Sequence, residues 1–96
     1  MRLKPGMMVW IKCEVKPGPF SNERSVRVES DQGEWIGFVD VRYLKDHIEK
    51  GPTWILCEVV DIRKDSVMAN LPGHALVGSR LFQGAMHLVN LAPVPA

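Results

Sequence analysis

Ninety-six residues, 46% hydrophobic and 24% charged, suffice for one modest core without disulfides or a structural metal, so one globular domain is expected. The formal charge of +1, from 12 Lys and Arg against 11 Asp and Glu, excludes a strong overall field toward nucleic acid or anionic lipid. Any polyanion site must then be a local patch.

No apolar run approaches the roughly 18 residues of a membrane span, and the N-terminus lacks the apolar core of a signal peptide. The expectation is a cytoplasmic chain with no membrane contact. Cys13 and Cys57 fit neither a disulfide-dense scaffold nor a four-ligand zinc site, and read as reduced and buried.

From Met7 the residues alternate. Met7, Val9, Ile11, Cys13 and Val15 share an apolar face, and Met8, Trp10, Lys12, Glu14 and Lys16 lie opposite, which makes a period-two first strand. Residues 16–23, with Pro17 and Pro19, read as a loop, in which Phe20 has no local structural role. A second strand at about 24–30 turns Val26 and Val28 inward and Arg27 and Glu29 outward, and Asp31-Gln32-Gly33 makes a tight connection. The third strand, 34–40, is apolar at nearly every position, and Gly37 suggests a bulge. Val41, Leu44 and Ile48 then recur at helical spacing until Gly51-Pro52, which predicts a short amphipathic helix over 41–50 with Asp40 as its N-cap.

A fourth strand at 53–63 and a fifth at 66–71 flank the polar turn Arg63-Lys64-Asp65. Pro72-Gly73 closes the fifth. Residues 75–91 hold one or two further apolar stretches, and 92–96 read as a frayed tail, so the domain spans 1–91.

Trp10-Ile11-Lys12-Cys13-Glu14-Val15 and Trp54-Ile55-Leu56-Cys57-Glu58-Val59 agree at five of six positions. Two barrels satisfy this near-repeat: a six-stranded one built from two three-stranded meanders, or a five-stranded Greek key whose first and fourth strands lie side by side. The element order favours the second. The fold class is therefore all-β, a small closed five- or six-stranded barrel of the oligonucleotide-binding kind, with one short helix between strands three and four.

Gly37-Phe38-Val39-Asp40-Val41-Arg42-Tyr43-Leu44 resembles the Gly-Leu-Val-His-x-Ser-x-Leu signature of the S-one domain, an RNA-binding repeat named after a ribosomal protein. Gly51 stands where that family opens its fourth strand, and Val67, Ala69 and Leu71 resemble its closing strand, so the likeness covers about 6–71. It implies an RNA-binding barrel. Asp40 occupies the place of the family's RNA-contacting histidine, where a carboxylate repels phosphate, and Ser25-Val26-Arg27-Val28 replaces an aromatic-bearing second strand.

Single-stranded nucleic acid on such a barrel needs aromatic faces for stacking and cations along the backbone path. The candidates are Trp10, Lys12, Phe20, Arg24, Arg27, Trp35 and Phe38, with Arg63 and Lys64 in the last loop. The bland alternative makes the tryptophans and Phe38 ordinary core.

The second candidate surface is the outward side of strand four, where Trp54, Leu56, Val60 and Ile62 form an apolar stripe broken by Glu58. Such a stripe requires cover, either from 75–91 or from a protein partner such as a second copy. His47, His74 and His87 are dispersed, and no nucleophile pattern appears, so neither catalysis, a metal nor a cofactor is expected.

Overall fold

The structure, a computed structural model, describes residues 3–31, 33–72, 74–77, 81–85 and 89–90, with backbone only for 74–77, 81, 85 and 90. Eight strands form one antiparallel sheet: β1 (Met8–Pro17), β2 (Glu23–Ser30), β3 (Gly33–Asp40), β4 (Gly51–Ile62), β5 (Ser66–Asn70), β6 (His74–Val77), β7 (Leu81–Ala85) and β8 (Val89–Asn90). Their order is β6-β3-β2-β1-β4-β5-β7, with β8 beside β1. At the β2–β3 turn the Asp31 amide donates to the Gln83 carbonyl of β7 at 2.7 Å, so the six central strands curl into a nearly closed barrel.

Alternation decides what goes inside. Val9, Ile11, Cys13 and Val15 from β1, Val26 and Val28 from β2, and Trp35 and Val39 from β3 meet Ile55, Cys57, Val59, Val67, Ala69, Leu71 and Phe82 in one core. Trp10 is buried too, but on the outer side and outside that cluster. The β2–β3 connection is a two-residue hairpin closed by the Ser30–Gly33 pair. Gly33 there has φ +109°, in the left-handed region that side chains avoid.

The near-repeat is resolved by the register of β1 on β4. Trp10 faces Leu56 and Lys12 faces Trp54 around a central Ile11–Ile55 pair, so the two copies are related by a local two-fold axis. The relation extends outward. Val26 pairs with Gly37 and Val28 with Trp35 in the first meander, as Val67 pairs with Gly84 and Ala69 with Phe82 in the second. Five strands alone would close β5 onto β3; instead β7 flanks β5 and β6 flanks β3. The barrel is thus the six-stranded alternative, and its β1–β2–β3 and β1–β4–β5 neighbours leave it compatible with an oligonucleotide-binding fold.

The expected helix over 41–50 shrinks to one 3-10 turn, Val41–Tyr43. Asp40 does cap it, its Oδ1 accepting from the Arg42 amide at 3.0 Å. Propagation stops because β4 takes the next groups: Leu44 bridges Ile55, the Lys45 amide donates to the Trp54 carbonyl at 2.9 Å, and the Asp46 amide donates to Thr53 Oγ1 at 3.2 Å. A single helical turn gains too little to compete with a strand already in place.

Two boundaries also move. Pro17 belongs to β1, paired with Arg24, because it sits at a strand end where its missing N–H costs no ladder bond. The bulge expected at Gly37 is a register shift between Ile36 and Gly37 on the β6 side. The tail 92–96 lies outside the described residues. Among the described residues no helix is long and apolar enough to cross a membrane.

Candidate binding faces

The outer face of β1–β2–β3 is a three-by-three checkerboard. Glu14 faces Arg27, which faces Ile36; Lys16 faces Ser25, which faces Phe38; and Glu29 faces Glu34. Pairing of β1 with β2 ends at Glu14, while β8 pairs only with Trp10 and Ile11, so the sheet parts at Lys12 and Cys13. A hollow of about 240 Å³ opens there, lined by Lys12, Cys13, Glu14, Arg27, Glu29 and Pro52. A second, about 260 Å³, adjoins it and adds Lys16, Ser25 and Ile36.

Arg27 sits in both hollows with its charge answered. Its guanidinium lies 3.8 Å from Glu29 and 3.4 Å from Glu34. Three cations, Lys12, Lys16 and Arg27, thus share the face with three carboxylates. The Cys13 thiol at the edge of the first hollow is no nucleophile: burial, then the charge of Glu14, pushes its pKa up to about 12. Cys57 is shifted upward as well, by burial and then by Cys13.

Several expected nucleic-acid contacts are placed elsewhere. Trp10 and Trp35 are 4% and 2% exposed, so neither offers a ring face for a base. Their indole Nε1 atoms are buried without an acceptor. Arg24 is 8% exposed and faces inward as a clamp. Its Nε donates to the Ile48 carbonyl at 2.8 Å, and its Nη1 donates to the carbonyls of Ser21 at 3.0 Å and Glu23 at 2.8 Å. Sequence alternation alone cannot separate a cation that faces phosphate from one that holds two loops together.

The remaining candidates do not converge. Phe20, 66% exposed, stands on the β1–β2 loop. Beside it the Val41 amide donates to the Asn22 carbonyl at 2.9 Å, and Arg42 stacks over Tyr43 at 4.9 Å from the ring centroid. Because β4 runs antiparallel to β1, the β4–β5 turn with Arg63 and Lys64 lies at the opposite end of the barrel. Arg63 is moreover paired with Asp61 at 3.3 Å. Phe38 stays half-exposed on the checkerboard.

The outer face of β1–β4–β5 is of a different kind. Trp54 and Leu56 are half-buried, and Val60 and Met8 are each 42% exposed. Met68 is half-buried on β5, paired with Asp61. Ile62 leaves this set. A bulge between Val59 and Asp61 keeps both Val60 and Asp61 outward and returns Ile62 to the inside, against the core. The described strands of 75–91 add to the sheet beside β3, β5 and β1 rather than lying across this face. Met8 is the member that the stripe on β4 alone could not reveal; its alternation with Trp10 was the signal.

No cluster of His, Cys, Asp or Glu able to hold a metal occurs among the described residues. No family model matches the chain, and no curated protein and no solved structure matches it either. The class that fold and faces define is a small antiparallel β-barrel; the likeness to the S-one domain rests on its quoted residues alone.

Proposed function

We propose that this barrel is a non-catalytic binding module that works through protein contacts on the outer face of β1 and β4. One observation carries the reading: Met8, Trp54, Leu56 and Val60 form a contiguous, partly exposed apolar face over which no described strand passes. Apolar patches of this kind on a small domain mark interaction surfaces. The charge-balanced checkerboard supports the same reading from the other side, since a polyanion gains little from cations whose charge is already matched.

A second reading, single-stranded RNA or DNA along the hollows of the β1–β2–β3 face, draws on the run Lys12, Arg27 and Lys16 beside Phe38. A titration of tryptophan fluorescence with oligo-U and oligo-dT, at low and then higher salt, separates the two. The protein-contact reading expects no saturable response. Salt-sensitive quenching, lost in the Lys12→Ala, Arg27→Ala double variant, would overturn it in favour of nucleic acid.

A further inference from the structure

The same face shows what kind of partner it fits. Along the β1–β4 pair three rows stand outward: Lys12 beside Trp54, then Trp10 beside Leu56, then Met8 beside Glu58. The ends of the patch are charged with opposite sign, and the middle is apolar. Lys12 and Glu58 lie four residues apart along the strands, roughly 13 Å at 3.3 Å per residue. Neither forms an ion pair among the described residues, whereas Arg27 and Arg63 both do.

A surface with a cation at one end and an anion at the other is complementary to itself. A two-fold axis lying in the interface, passing over the Trp10–Leu56 row and perpendicular to the line from Lys12 to Glu58, exchanges the two ends. We propose that this face is a homodimer interface, in which Lys12 of each chain pairs with Glu58 of the partner subunit across that axis. The proposal rests on the protein-contact reading above and adds the identity of the partner.

The geometry is that of two sheets packed face to face. At the usual spacing of about 10 Å the stems of Lys12 and of Glu58 of the partner subunit can meet across the gap, while Leu56 and Met8 fill the middle. Isologous contact makes each charge pair occur twice, so one substitution removes two pairs. The patch is small beside the roughly 20–30 residues per side of a standard interface, so the dimer is a weak one that dissociates on dilution.

The test is the molar mass of the full chain by light scattering or sedimentation between about 1 µM and 1 mM. The expected result is a rise from one chain to two, weakened about tenfold by Lys12→Glu, which sets like charges together at both ends. The double variant Lys12→Glu, Glu58→Lys restores the self-complementary pattern and the wild-type association. This rescue is the decisive arm, because a variant that merely misfolds cannot be rescued by a second reversal.

A dimer indifferent to Lys12→Glu would place the contact on another face and overturn the proposal. A chain that stays monomeric throughout also overturns it. Peroxide oxidation of Met8 in that monomer then decides the underlying reading. Oxidation as fast as in the unfolded chain leaves the face open for a different protein, while strong protection means the chain itself covers it and both readings fall.

Discussion

Arg24 carries an unusual share of the local structure for one side chain. Its three hydrogen bonds go to carbonyls of two separate segments, the β1–β2 loop and the stretch after the 3-10 turn. A buried guanidinium has five donors in a fixed fork, which suits several carbonyls at once as an ammonium does not. Arg24→Met should therefore cost about 1–3 kcal/mol in urea unfolding, through unsatisfied carbonyls at both loops. Arg24→Lys should cost nearly as much, since one amine cannot reach Ile48 and Ser21 together. A neutral Arg24→Met would mean that the loops hold each other without the clamp. The same residue shows why the candidate site was only partly legible in the sequence. Its type and spacing on β2 match those of Arg27 three positions on, and only the fold turns one inward and the other out.

At the scale of elements, alternation and turn chemistry were strong signals. Five strands, the hairpin at Asp31–Gly33 and the cap at Asp40 follow from residue type, because each is determined by neighbours in sequence. Two features escaped for a common reason: each depends on a neighbouring strand. The helix after Asp40 yields to hydrogen bonds from β4, and the parity of β4 changes at a bulge that nothing in Val59-Val60-Asp61-Ile62 announces. The bulge makes its own prediction. With Val60 removed, Val59 still points in, Asp61 out and Ile62 in, so the register to β5 is kept. The deletion variant should fold with a loss of no more than about 1–2 kcal/mol, as bulge removal trades local twist for a regular ladder. Removing Leu56 instead should be far worse, because it inverts every outer and inner position between Trp54 and the bulge. Circular dichroism and urea midpoints of the two deletion variants check this, and equal losses would contradict the bulge.

The whole molecule is organised about the Ile11–Ile55 pair, and here the near-repeat carried more information than the order of elements. A match at five of six positions constrains which strands can be equivalent, while the order strand, strand, strand, turn, strand, strand is shared by both barrels considered. Ile11 and Ile55 are fully buried and face each other at the local axis, each in the equivalent place of its own meander. Ile11→Ala and Ile55→Ala should thus destabilise by similar amounts, about 3–4 kcal/mol each, since each deletes the same groups from mirrored surroundings. The double variant tests the contact between them. Two cavities that merge across the axis can collapse together, so its cost should fall short of the sum by at least about 0.5 kcal/mol. Strict additivity would show that the halves pack independently at their centre. Single variants differing by more than about 2 kcal/mol would show that the two-fold relation is one of backbone pairing, with a core that has lost it.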